Sequence, residues 1–242
     1  MKLPEEFIAK ILNFLAEKYK SQLILKGGML LRLLKSPRET QDIDYCWIRT
    51  KKRNLFAQEL KKNLEQLEGI RVTDMTANSR GVFLDVVDES SGDQIKIEIN
   101  VETSTHLPPK PMTTAQISTL YSLKPQIVTT MDLSEAFSNK IAAALERDLA
   151  RDLYDLMQLE AMTPFDEATL KDRLSRLEIG RAKPRSVSRK EAVKLLKARL
   201  DALTEKKIKE ELGATLSPEY LVGLFPVIRA SVGRLIQRME AL

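Results

Sequence analysis

The sequence predicts an α+β fold in two parts: an α/β domain over residues 1–130 and a helical C-terminal domain over residues 131–242. Three observations carry this. β-prone segments alternating with period two are confined to residues 22–101, helical spacing dominates from Asp132 almost to the end, and the charge turns from net acidic to net basic at about residue 170. At 242 residues, 43% hydrophobic and 30% charged, the chain has the length and composition of one large or two small soluble domains.

Taken in order, Phe7, Ile8, Ile11, Leu12, Leu15 and Tyr19 recur at helical spacing among Lys and Glu, predicting an amphipathic helix over residues 4–19. Residues 22–25 read as a short strand ending in the turn Lys26-Gly27-Gly28, after which an apolar helix runs from Met29 to Leu34 and stops at Ser36-Pro37. Residues 42–48 alternate as a strand that places Asp42 and Asp44 on one face. Residues 51–67 predict a helix. Strands follow at 70–75, 82–87 and 95–101, the last two joined by the hairpin turn Ser90-Ser91-Gly92-Asp93. In the third of these, Ile95, Ile97, Ile99 and Val101 face one way and Lys96, Glu98 and Asn100 the other. Residues 103–125, rich in Thr, Ser and Pro, show no period and predict a long connection wrapping the sheet. Beyond them, Asp132 or Ser134 caps a helix reaching about Leu149, and further helices are predicted at 151–162, 166–178, 187–211 and 217–241.

Composition excludes several chemistries. A single cysteine, Cys46, leaves no internal disulfide, and a single histidine, His106, leaves no His-rich zinc site. Cys46 reads as a small buried apolar residue, Trp47 as core or its margin, and His106 as a surface residue. No apolar run approaches the ~18–20 residues that cross a bilayer, and Glu5 and Glu6 stand where an export signal would be apolar. The expected compartment is the cytoplasm, with no membrane partner. What remains is carboxylates, lysines, arginines and hydroxyls. Residues 171–211 carry 14 Lys and Arg against 7 Asp and Glu, whereas residues 1–170 carry 22 against 25. Arg181, Lys183, Arg185, Arg189 and Lys190 fall in one stretch without an acid, as expected of a surface for a polyanion or of a solvated basic face.

A glycine turn opening a helix presents unpaired N–H groups to a phosphate. Asp42 and Asp44, adjacent on one face, repel each other unless a hard cation lies between them. If the strand bearing Glu98 lies beside theirs, three carboxylates converge into a site for one or two Mg²⁺ ions and a triphosphate.

Leu25-Lys26-Gly27-Gly28, the apolar helix after it and Arg38-Glu39-Thr40-Gln41-Asp42-Ile43-Asp44 together resemble the entry motif of polymerase-β-like nucleotidyltransferases, specifically the AbiEii-type toxins. Ile97-Glu98-Ile99 resembles that family's third-carboxylate strand. Ser134-Glu135-Ala136 to Lys140, Ala142 to Leu145, Arg147 and Arg151-Asp152-Leu153-Tyr154-Asp155-Leu156 resemble its later helical motifs. The likeness spans residues 23–157, and Met29 stands where many relatives have Ser or Thr.

The resemblance implies a small mixed sheet with helices, followed by a helical domain. It further implies that Asp42, Asp44 and Glu98 bind metal, that Lys26, Gly27 and Gly28 hold nucleotide phosphates, and that Lys140 and Asp152 complete the catalytic set. The expected activity is Mg²⁺-dependent transfer of a nucleotide from an NTP to RNA, with the tRNA 3′ end as acceptor and a cognate antitoxin as partner. Arg181, Lys183, Arg185, Arg189 and Lys190 are the expected RNA contacts. Two alternatives stay open: nucleotidylation of a protein or small molecule, and an inactive fold that binds RNA or a partner.

Overall fold

A computed structural model describes residues 4–181 and 183–241, with the side chain of Arg181 outside the described residues. The chain divides into two compact units, Met1–Met131 and Asp132–Leu242.

The first unit is built on a mixed sheet. Its strands are β1 (Leu23–Lys26), β2 (Asp42–Ile48), β3 (Ile70–Asn78), β4 (Gly81–Asp88), β5 (Gln94–Glu102), β6 (Lys110–Thr113) and β7 (Ile127–Thr130), in the spatial order β3-β4-β5-β2-β1-β7-β6. β2 is central, antiparallel to β1 and parallel to β5. Alternation decides its two faces. Ile43, Tyr45 and Trp47 are buried, and Trp47 stacks on Phe56 of α3 (Arg53–Leu64) with ring centroids 4.0 Å apart. Asp42 and Asp44 take the opposite, half-buried face. Helix α1 (Glu5–Tyr19) buries the apolar stripe expected of it. Cys46 is buried and His106 exposed.

Residues 103–125 depart from the expected unstructured connection. β6 and β7 form the far edge of the sheet, and α4 (Ala115–Ser118) lies between them in sequence. A buried polar cluster fixes this segment to α1: Asn13 Nδ2 donates to Ser118 Oγ at 2.9 Å, and Thr114 Oγ1 donates to Asn13 Oδ1 at 2.6 Å. The sequence hid these strands because each has four residues, and Pro111 restricts β6 to a sheet edge.

The second unit is helical: α5 (Leu133–Glu146), α6 (Ala150–Glu160), α7 (Glu167–Leu174), α8 (Arg189–Asp201), α9 (Glu205–Leu212), α10 (Pro218–Leu221) and α11 (Leu224–Ala241). Asp132 is the cap of α5, its carboxylate accepting from the Ser134 N–H at 2.9 Å. Two predicted long helices are broken. Thr204 caps α9 by accepting from the Lys207 N–H, which ends the 187–211 helix at Asp201. Gly223, at φ +73°, separates α10 from α11.

Helix α6 is buried almost all round, so its acids are paired inside the unit. Glu160 accepts from Ser231 Oγ at 2.9 Å and pairs with Arg234 at 2.7 Å and Arg238 at 2.9 Å, fastening α11 to α6. The Arg234 hydrogen bond holds the Glu160 carboxyl below the usual carboxylate range.

Candidate active site

The first group of expected site residues lies on the half-buried face of the central sheet. β2 and β5 run parallel with Asp44 opposite Glu98, and β1 places Lys26 opposite Asp44. Directly paired residues project from the same face. Asp42, Asp44, Glu98 and Lys26 therefore share it.

The glycine turn closes one end of this face. Gly27 has φ +70°, and a Cβ there would lie 2.1 Å from Asp44 Oδ2. Glycine is required twice over, by the left-handed backbone and by the carboxylate against it. A Cβ on Gly28 would lie 2.9 Å from Arg38 Nη2 and 3.2 Å from Thr40 Oγ1, so these two side chains also border the turn. Thr40 is tied to the strand that follows, its hydroxyl accepting from the Asp42 N–H at 3.3 Å. Met29 is 1% exposed and is one of the buried residues of α2 (Gly27–Leu33).

Electrostatics report how close the carboxylates are. Burial, then the charges of Asp44 and Asp42, push the Glu98 carboxyl above its ordinary pKa, while Lys26 and Lys96 pull it down. Among the described residues, no three His, Cys, Asp or Glu side chains already form a metal cluster. The donor set nonetheless suits Mg²⁺, because it is anionic, entirely oxygen and mutually repulsive in the absence of a cation.

A stability test follows. The folded state holds the Glu98 proton more tightly than the unfolded chain, so the ionised carboxylate costs stability above its raised pKa, and the cost disappears on protonation. Glu98→Gln should therefore raise the melting temperature of the metal-free protein at pH 7. The gain should shrink as the pH is lowered into the carboxylate range. Thermal melts between pH 5 and 8 measure it, and a gain independent of pH would contradict the crowding of carboxylates.

The second group lies in the helical unit. Lys140 Nζ of α5 donates to Asp155 Oδ2 at 2.8 Å and to Asp152 Oδ1 at 3.4 Å. Arg147, just past the end of α5, grips Asp152 with two hydrogen bonds of 3.0 and 2.9 Å. Both aspartates are 1% exposed. Burial pulls the Lys140 ammonium down in pKa, but Asp155 and Asp152 outweigh it and leave the pKa above its ordinary value. Lys140 and Asp152 thus belong to a network of four charges in which both aspartates are buried and Arg147 is exposed. Asp155 and Arg147 were not expected as site residues. Both stood in the family-like helical motifs, and Asp155 had the further signal of its spacing from Asp152, three apart on one face of α6.

Of the basic stretch, Lys183, Arg185, Arg189 and Lys190 are exposed, and Arg185 is paired with Glu191 at 2.7 Å. The side chain of Arg181 lies outside the described residues.

Residues 12–221 match the family model described as nucleotidyl transferase AbiEii toxin, type IV TA system. Among solved structures, the chain is similar to MenT4, a nucleotidyltransferase toxin from Mycobacterium tuberculosis H37Rv, at 19% identity, with a TM-score of 0.69 over 97% of this chain and 85% of that one. It is also similar to JHP933 from Helicobacter pylori, at 15% identity and a TM-score of 0.54, over 98% of this chain and 92% of that one. Both likenesses are of fold. No curated protein sequence matches the chain significantly.

Proposed function

Since the chain belongs to the AbiEii nucleotidyl transferase toxin family of type IV toxin–antitoxin systems, we propose that it transfers a nucleotide from an NTP to RNA, with Mg²⁺ as cofactor and the tRNA 3′ end as acceptor. The carrying observation is the shared face of Asp42, Asp44 and Glu98, with Asp44 pressed against Gly27. Asp42, Asp44 and Glu98 would hold the metal. When bound, Mg²⁺ would polarise the phosphoryl oxygens and acidify the attacking hydroxyl. Lys26 and the backbone of Gly27 and Gly28 would hold the triphosphate. Lys140 would neutralise a phosphate oxygen, and Asp152 would orient Lys140 or accept a proton. The transfer joins an RNA hydroxyl oxygen to the α-phosphorus and releases pyrophosphate, so one bond to phosphorus forms as another breaks.

RNA as the acceptor is supported by the exposed, acid-poor stretch containing Lys183, Arg189 and Lys190. Arg181 shares that assignment from its place in the sequence. The location we assign is the cytoplasm, and a cognate antitoxin is the expected genetic partner. Among the described residues no helix is long and apolar enough to cross a membrane.

Incubation with bulk tRNA, Mg²⁺ and each labelled NTP in turn tests the reading, and label should enter tRNA. Label appearing only in protein or a small molecule would replace RNA with that acceptor. A second measurement addresses the basic stretch. Reversing charge at Lys183 and Lys190 should weaken RNA binding across sequences and lower the slope of log K against log salt by about 0.7–0.9 per lost phosphate contact. Arg185→Glu should do less, because Glu191 already occupies that guanidinium. An unchanged affinity at low salt would mean that these residues are only solvated.

A further inference from the structure

The second unit contains a groove of about 590 Å³ between α7 and the segment leading into α8. Phe165, Leu170, Leu174 and Val187 form its apolar part, while Lys171 and Arg189 are exposed polar members of its lining. Its wall is fixed by backbone bonds: Leu177 and Arg185 exchange two hydrogen bonds of 3.0 Å, and the Val187 N–H donates to the Leu174 carbonyl at 2.8 Å. Phe165 is half-buried and packs in T-shaped contact on Phe137, with centroids 6.1 Å apart, which makes it a supported aromatic surface.

An apolar, aromatic floor beside two cations fits a ligand with a flat apolar body and an anionic end. Groove volumes of ~300–1,000 Å³ suit small ligands, and a nucleotide falls within that range. The groove borders the acid-poor basic stretch, since Ser186, Ser188 and Arg189 belong to both, so a polyanion lying there would pass its opening. Among the described residues of the lining Glu167 is the one acid, and Lys171 and Arg189 outnumber it.

We propose that this groove receives one unstacked nucleotide of single-stranded RNA, its base on the floor formed by Phe165, Leu170, Leu174 and Val187 and its phosphate beside Lys171 and Arg189. The inference rests on RNA being the acceptor and adds a feature to it. The protein selects unpaired nucleotides through a pocket separate from its carboxylate face, because single strands can splay a base onto an aromatic ring and duplexes cannot.

Ala168→Trp and Ser186→Trp, at two exposed lining positions, each fill the groove without changing its charge. Using the full-length protein and a short single-stranded RNA containing one 2-aminopurine, each variant should bind about 5- to 150-fold more weakly. Each should also lose the fluorescence quenching that stacking produces. The same RNA as a duplex should bind wild type and variants equally, through phosphates alone. Melting curves establish that each variant is folded, and either folded variant suffices for the comparison. Equal single-strand binding by wild type and a folded variant, with tRNA labelling by wild type intact, overturns the pocket and leaves the RNA acceptor standing. Equal binding of single strand and duplex by wild type has the same consequence. A wild-type protein that neither binds single-stranded RNA nor labels tRNA overturns both.

Discussion

Asp44→Asn is expected to cut nucleotide transfer by on the order of a hundredfold or more, the cost of losing one strong ligand or transition-state contact, ~3 kcal/mol. Asn keeps the shape of Asp, so the side chain still fits against Gly27, where a Cβ would already lie 2.1 Å from its oxygen. Only the charge is removed. That charge contributes to raising the Glu98 pKa, so the metal-free variant should melt above the wild type at pH 7. Active sites are commonly kept at some expense of stability. Mg²⁺ should reverse the order. A ligand at a hundred times its Kd stabilises the folded state by about 2.7 kcal/mol, and the variant should lose most of that gain. Label transfer and melting, each in Mg²⁺ and in EDTA, measure both effects. If wild type labels no RNA, and neither Mg²⁺ nor NTP raises its melting temperature more than that of the variant, the fold is a binding module and not an RNA nucleotidyltransferase.

Lys140→Met should destabilise the protein strongly. It removes the 2.8 Å cation from buried Asp155 and one of the two cations from buried Asp152. Removing one partner of a buried ion pair costs about 3–5 kcal/mol, because the remaining charge is kept from water. A lowered melting temperature by itself would not separate a structural role from a chemical one. The double variant Lys140→Met/Asp155→Leu does, since replacing both partners by apolar groups is often neutral. It should recover most of the lost stability while remaining inactive in label transfer, if the Lys140 ammonium acts on the triphosphate. Recovery of both stability and activity would reduce Lys140 to a structural residue.

The site was legible to different depths in its two parts. Asp42 and Asp44 could be placed on one face from alternation alone, because the pleat has period two whatever surrounds the strand. Glu98 could be assigned to the polar face of β5 for the same reason, but its position opposite Asp44 depends on the parallel pairing of β2 and β5, which join residues about fifty apart in sequence. Arg38 and Thr40 belonged to the motif without a visible role, since their approach to Gly28 is a contact across a turn. The four members of the charge network stood in the family-like helical motifs, but only the spacing of Asp152 and Asp155 hinted that they would meet. Burial of α6 on nearly every side makes Asp155 and Arg147 necessary, and burial is a property of neighbours.

Element boundaries divide along the same line. β2 forms over the expected residues 42–48, whereas β6 and β7 went unseen even though Ile127, Val128, Thr129 and Thr130 are all β-branched or Thr. A four-residue strand buries too little of itself to show a pattern, and it exists because partners such as β1, paired through Leu25 and Thr130, supply its hydrogen bonds. The sequence by itself determined the local facts: periodicity, a helix cap at Asp132 or Ser134, a glycine turn at positions 27 and 28 and the excess of cations after residue 170. Tertiary structure alone decided which carboxylates became neighbours, which charges were paired before any ligand arrived, and where a groove opened. The physical reason is that backbone geometry acts between residues a few positions apart, while Coulomb forces, desolvation and packing act between whatever the fold brings within a few ångströms.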